Sequence, residues 1–167
     1  DTFTQFNFDG GSERNVRDLV EDREGRLYVA TANGVWRFDG TGFIQTEGLE
    51  GQDVQQLLVD RAGQLWAATA AGLARRVAQD KFIWYPFPGL GRPAVSSLSQ
   101  LYDGRLMVGS DSEGLIVMEQ HGAVSQYTVD NAGLISDAIG DVYAEPFADG
   151  RAWLIAGGQL AEFIASP

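Results

Sequence analysis

The stretch from Glu21 to Phe38, EDREGRLYVATANGVWRF, is written a second time from Val59 to Arg76 as VDRAGQLWAATAAGLARR. Asp22, Gly25, Leu27, Thr31 and Gly34 recur at Asp60, Gly63, Leu65, Thr69 and Gly72, a constant 38 residues on. Self-similarity at a fixed period of this size confines a chain to repeat architectures, in which each unit buries its apolar faces against copies of itself. Two more divergent copies can be laid over the first two. The copies open on VRDLV from Val16, VQQLL from Val54, VSSLSQL from Val95 and IGDVY from Ile139, all apolar at the first, fourth and fifth positions or nearly so. These runs do not alternate, as expected of strands covered on both faces.

Each opening strand is followed by a turn: DREG at Asp22, DRAG at Asp60, and shorter YDG and ADG turns ending at Gly104 and Gly150. Asp caps such turns by accepting from backbone N–H groups, and Gly supplies positive φ without steric cost. A second strand reads LYVAT, LWAAT, LMVGS and AWLIA from Leu27, Leu65, Leu106 and Ala152. A second glycine, at Gly34, Gly72, Gly114 or the pair Gly157 and Gly158, opens a more polar third strand. A fourth segment, FIQTE from Phe43, FIWYP from Phe82 and VSQYTV from Val124, is aromatic and β-branched enough for an outer strand. The last copy lacks one, while FTQFN, from Phe3 to Asn7, precedes the first copy at the matching distance.

The expected fold is therefore all-β: a β-propeller of four-stranded antiparallel blades over residues 1–167, with repeats starting near 16, 54, 95 and 139 and an outer strand in residues 1–8. Either that N-terminal strand completes the last blade, or the chain is part of a larger ring. Three assemblies satisfy the pattern: a closed four-bladed ring, a fragment of a larger ring, and two chains completing eight blades. An open arc would expose two apolar blade faces. Helices have no expected place, because no window holds an apolar period near 3.6 for a dozen residues.

The acidic balance, 12 Lys plus Arg against 23 Asp plus Glu for a net charge of -11, argues against nucleic acid or an anionic membrane surface as partner. The absence of Cys excludes a disulfide framework and a thiolate metal site, and fits a cytosolic or a periplasmic home. No apolar run reaches the length of a membrane span, so no direct membrane insertion is expected of this segment. Opening on Asp1 rather than Met, the chain reads as an excised or mature piece of something longer.

EDREGRLYVATANGVWRFDG and VDRAGQLWAATAAGLAR strongly resemble the two-component regulator propeller repeat. In that repeat a D-x-x-G turn is followed by L-W-x-x-T, then by N-G-L-x-R-F or similar, and then by a G-L linker. The linker stands here as GLEGQDV from Gly48, GLGRPAV from Gly89 and AGLISDAI from Ala132. The likeness covers nearly the whole chain and weakens toward the last copy, where Thr31 and Thr69 become Ser110 and Ala156. It implies a ligand-sensing, non-enzymatic propeller, periplasmic or otherwise extracytoplasmic. Across a membrane, it implies, stands a histidine kinase or another signalling output. Such sensors suggest a carbohydrate fragment as ligand; a protein–protein interaction scaffold is the alternative.

Candidate chemistry is sparse. His121, the single histidine, sits in EQHGAV and reads as a residue of the hairpin between third and fourth strands. No cluster of His, Cys or carboxylates has metal-ligand spacing, so neither a metal nor another cofactor is expected. Asp22 and Asp60 could serve as acid/base carboxylates, but recurrence at one turn marks them as structural. The D-x-x-G-x-L-W turn is similar to the Asp-box of sialidase-like propellers with a spacing that differs by one residue. It is similar also to streptogramin lyases, whose histidine base has no good counterpart here.

Binding residues are expected where the repeat varies, on the face formed by the connections between second and third strands and between blades. The candidates on that face are Asn15, Arg17 and Asn33; Gln52, Asp53 and Gln55; Arg92 and Ser96; and Asp111, Ser112, Ser136 and Asp137. Trp84 and Tyr85, in the outer strand of the second copy, read as packing against the neighbouring blade rather than as an exposed patch.

Overall fold

A computed structural model describes residues 1–6, 8, 15–145 and 150–165. Among the described residues, fifteen strands form four antiparallel sheets, taken in chain order. The first blade is β1 (Val16–Glu21), β2 (Leu27–Thr31), β3 (Gly34–Phe38) and β4 (Phe43–Gln45). The second is β5 (Val54–Val59), β6 (Leu65–Thr69), β7 (Gly72–Ala78) and β8 (Lys81–Tyr85). The third is β9 (Val95–Gln100), β10 (Leu106–Ser110), β11 (Leu115–Met118) and β12 (Val124–Tyr127). The fourth has three strands, β13 (Ile139–Ala144), β14 (Arg151–Ala156) and β15 (Gln159–Ile164). Every sheet is an up-and-down meander, the blade of a propeller.

Two details differ from expectation. The N-terminal segment does not complete the last blade: residues 1–6 hold no strand, and the rings of Phe6 and Phe8 pack on Phe38 and Phe43 of the first blade. Asn7, and Ala148 and Asp149 of the ADG turn, lie outside the described residues. A one-turn helix, α1 (Val129–Ala132), stands in the linker after β12. It is set by a capping box between Thr128 and Asn131 and ended by Gly133 at φ 69°. Caps of this kind act locally and leave no apolar period to read.

The repeated threonine has a clear role. Thr69 Oγ1 donates to Gly72 O at 2.9 Å and accepts from Ala71 N at 3.0 Å, and Thr31 does the same with Gly34 and Asn33. Ser110 repeats both bonds with Gly114 and Glu113. The hydroxyl thus satisfies both polar groups of the turn at a site where water cannot reach. Thr69→Val should lose about 1–3 kcal/mol, read as a lower urea midpoint at unchanged slope.

Three apolar cores lie between the blades, one per junction. The first and fourth positions of each inner strand point back at the preceding blade. Val54 and Leu57 share a core with Tyr28, Ala30 and Val35, and Val95 and Leu98 share one with Trp66, Ala68 and Leu73. Ile139 and Val142 do so with Met107 and Leu115. The inner strands β1, β5, β9 and β13 pack in succession, with no comparable packing of β13 on β1. Among the described residues the four blades do not close on one another.

A side-chain relay accompanies this packing. Asp18 Oδ2 accepts from Leu57 N at 2.8 Å and Gln56 Oε1 accepts from Leu98 N at 2.5 Å, so that the third residue of one inner strand bonds the fourth N–H of the next. Inner strands are sheet edges, and the relay occupies N–H groups that no ladder partner would reach. Ser97, at the corresponding place in the third blade, is shorter; its buried hydroxyl has no partner, and Val142 N turns to its own Asp141 at 2.9 Å. Ser99 carries the junction instead, accepting from Ala144 N at 2.9 Å.

Candidate functional site

The residues expected to bind divide into two groups. Each inner strand carries a register irregularity at its second residue, so that Arg17, Gln55 and Ser96 are bulge residues. Bulges re-aim side chains. Arg17 reaches across to Asp53 at 3.3 Å, Gln55 donates to the same carboxylate at 2.9 Å, and Ser96 donates to Ile139 O in the next blade at 2.5 Å. Arg92 lies with its guanidinium 4.8 Å from the Trp84 ring centre, over Gly72. The remainder hold turns. Asn15 O accepts from Ala32 N, Asn33 O from Gln45, Gln52 O from Gly34 N, and Asp137 from Val129 N and Gly114 N. Ser136 Oγ accepts from Ala138 N, Asp111 N donates to Ala94 O, and Ser112 is exposed. The structure thus brings together Arg17, Asp53 and Gln55 and leaves the others spread along the loops.

A better-formed concavity lies at the opposite end, at the D-x-x-G turns. Between the first and second blades this end is plugged. Arg76, from β7, donates to Asp22 Oδ2 at 2.6 Å and lies 5.0 Å from the Tyr28 ring centre, while Tyr28 Oη donates to Gln79 O at 3.0 Å. Burial acts to raise the Asp22 carboxyl, but hydrogen bonds from Arg76, from the side chain and backbone of Arg26 and from Glu24 N outweigh it and hold the group far below the usual carboxylate range.

Between the second and third blades the equivalent places are Asp60, Trp66 and Met118. Methionine cannot bridge to Asp60, and the carboxylate takes Trp66 Nε1 at 2.9 Å. Without its plug the junction opens into a cavity of about 570 Å³. Trp66, Leu106 and Met118 form an apolar floor, each less than a tenth exposed. Turn residues Arg61 and Tyr102 and hairpin residues Glu119 and Gln120 form the rim, with Arg75 and Tyr85 on the outer side. Trp66 and Tyr85 meet edge to face at 5.4 Å.

The charges around it are mostly committed. Asp60 Oδ1 accepts from Ala62 N and Gln64 N, both at 2.9 Å. Arg105 pairs with Asp103 at 2.7 Å and Glu119 at 3.9 Å. Burial raises the Asp103 carboxyl, yet the bonds from Arg105 outweigh it and keep it below its ordinary range, an ionised group unsuited to donating a proton. Arg61 donates to the carbonyls of Leu101 and Tyr102 and lies 5.3 Å from the Tyr102 ring centre. Arg75 is different: it lies 5.8 Å from the Tyr85 ring centre and has no ion pair among the described residues. The arrangement offers ring faces and one uncommitted cation, which is binding chemistry. Sequence reasoning missed this site because it looked for variation only at the other end. The signal was there, in Met118 standing where the second blade has Arg76.

Among the described residues no group of three or more His, Cys, Asp or Glu could hold a metal, and no helix is long and apolar enough to cross a membrane. His121 is exposed in the turn after β11.

Residues 10–33 match the family described as Two component regulator propeller. That match covers β1 and β2 of the first blade. The fold agrees with known propellers of this kind. The extracellular domain of a hybrid two-component system from B. thetaiotaomicron is 22% identical over 90% of this chain, with a TM-score of 0.73. A second such domain from the same organism is 18% identical over 97%, with a TM-score of 0.77. In both cases the chain spans 22% of the other's length. Virginiamycin B lyase from Staphylococcus aureus is 14% identical over 92% of this chain and 56% of its own, with a TM-score of 0.58. At these identities the likeness is one of fold. No curated protein matches the chain. The D-x-x-G turn, the L-x-x-x-T strand and the glycine that follows are thus the propeller repeat's structural grammar, and the cavity falls where its third copy departs from that grammar.

Proposed function

We propose that this chain is a ligand-binding portion of the extracytoplasmic propeller of a bacterial signal-transduction protein, and that it works by recognition rather than catalysis. The observation that carries the reading is the unplugged junction. A place closed by Arg76, Asp22 and Tyr28 in one pair of blades is an open, aromatic-floored cavity of about 570 Å³ in the next, within the size range of small-molecule sites. The repeat family and the extracellular two-component propellers of like fold support the signalling context. A carbohydrate fragment suits the lining: a sugar ring stacks on Trp66 or Tyr102, its hydroxyls meet Gln120 and Glu119, and Arg75 takes an acceptor. Binding biases an output domain only if the ligand prefers one of two arrangements, and a cavity at a blade junction responds directly to blade spacing.

The test is a glycan panel followed by calorimetric titration of any hit. Met118→Arg restores the plug and should abolish binding without lowering the melting temperature, and Arg75→Ala should weaken it about tenfold, as for loss of one charged hydrogen bond. Binding that survives Met118→Arg removes the cavity from consideration. A panel without hits, with only protein partners captured on the immobilised domain, overturns the carbohydrate reading in favour of a scaffold.

A further inference from the structure

Asp22 and Asp60 occupy the same turn position in successive blades, yet the charges around them differ. Asp22 Oδ2 accepts from two guanidinium groups, Arg26 Nε at 2.8 Å and Arg76 Nη1 at 2.6 Å. At Asp60 neutral residues stand in both places, Gln64 for Arg26 and Met118 for Arg76. Gln64 Nε2 turns away to the carbonyls of Leu65 and Arg76, at 3.0 and 2.7 Å. Asp60 Oδ2 is left with one donor, Trp66 Nε1, where Asp22 Oδ2 has two.

The turn accounts for the oxygens of Asp60 but not for its charge. Oδ1 accepts from Ala62 N and Gln64 N, as Asp22 Oδ1 does from Glu24 N and Arg26 N, and for this a neutral acceptor would serve. Of the three carboxylates lining the cavity, Asp103 and Glu119 share Arg105, whereas Asp60 has no ion pair among the described residues. The two arginines of the wall are held elsewhere, Arg61 over the Tyr102 ring and Arg75 over the Tyr85 ring. A carboxylate beside an apolar floor without a counter-charge is costly, and a cation placed there relieves that cost. A ring face is in position as well. Trp66 stands where the first blade has Tyr28, the ring under the Arg76 guanidinium, and indole is the strongest cation-binding ring among side chains. Both blades of this junction have neighbours within the chain, so the site does not depend on what precedes or follows it.

We propose that the ligand of this cavity brings the missing cation, a primary amine that takes the place of the Arg76 guanidinium and donates to Asp60 Oδ2 beside the Trp66 ring. The proposal rests on the carbohydrate reading and narrows it to an amino sugar with a free ammonium group. The ring hydroxyls then meet Glu119 and Gln120, and the far side of the sugar meets Arg75. One vacant acceptor place suits an ammonium, a compact point charge, better than a second guanidinium fork.

Trp66 reports on the site, because its indole N–H shares Asp60 Oδ2 with the incoming amine. Its proton–nitrogen NMR signal, assigned with Trp66→Phe, is followed during titration with two disaccharides: glucosamine units with free amines, and the same units N-acetylated. The free amine should move the signal and bind about tenfold or more tightly than the acetylated sugar, as for one charged hydrogen bond. Asp60→Asn keeps the Oδ1 acceptor of the turn and should bring the two affinities together, with circular dichroism confirming the fold. Met118→Arg leaves the turn untouched and should abolish the binding and the signal shift, which keeps the test decisive if Asp60→Asn unfolds. Equal affinities for the wild type overturn the amino sugar and leave the carbohydrate reading standing, as does binding of neither disaccharide alongside hits elsewhere in the glycan panel. Binding of no glycan overturns both, and a lysine peptide that then moves the Trp66 signal identifies the occupant as protein.

Discussion

Asp22→Ala should cost about 3–5 kcal/mol, the largest single-residue loss expected in the first two blades. The Asp22 side chain is wholly buried and Arg76 only 11% exposed. Removing the carboxylate leaves that guanidinium only the exposed Glu24, 3.9 Å away, as counter-charge, and strips the turn of the acceptor for Glu24 N and Arg26 N, both at 3.0 Å. Arg76→Met should rescue part of the loss, since the unpaired charge, not the missing contact, dominates. In a double-mutant cycle the two losses should fall short of additive by 1 kcal/mol or more, on the order expected for neighbours in one network; additive losses would show that the pair is not a unit. The pH dependence has a definite sign. Because the folded-state carboxyl is held below its ordinary value of 3.8, its contribution is complete above that value and is lost as pH falls below it. The stability gap between wild type and Asp22→Ala should therefore narrow only below about pH 4, measured by urea titration at each pH.

Gly114→Ala should be of similar size for a different reason. Gly114 has φ +73°, and a β-carbon there would lie 2.1 Å from the carbonyl oxygen of Tyr127, a rigid atom of the outer strand in the same blade. The left-handed backbone costs a non-glycine residue about 1–3 kcal/mol, and the displaced strand a further 1–3 kcal/mol or so. Gly89 separates the two effects: its φ is +82°, with nothing within 4 Å of an added β-carbon. Gly89→Ala should show the conformational cost alone, about 1–2 kcal/mol. Equal melting temperatures for the two variants would mean that the outer strand yields freely and that the close approach at Gly114 is unimportant.

The same pair of features explains what could be read in the chain before its structure. Asp22, Thr31 and Gly34 act within a turn or across one hairpin, so their roles follow from local chemistry and recur with the period. The strands begin where the repeat places them, at Val16, Val54, Val95 and Ile139. The residues expected to bind were harder to place. Arg17, Gln55 and Ser96 share a bulge and do project from it, but Asn33, Gln52 and Ser136 serve their own loops. Polar residues in connections answer first to local backbone groups, and nothing in their sequence separates that use from recognition. The cavity rests on Met118 facing Asp60 and Trp66, residues more than 50 positions apart.

The amino-acid sequence by itself determined the blade and its repetition, because period, turn chemistry and strand composition are local properties copied along the chain. Only the tertiary structure decided that the N-terminal phenylalanines stay with the first blade, that the four described blades do not close on one another, and that the second junction is hollow. Those outcomes depend on which side chains meet across a junction. One substitution in a repeat, Arg76 to Met118, changes nothing within its own strand and everything in the space between two blades.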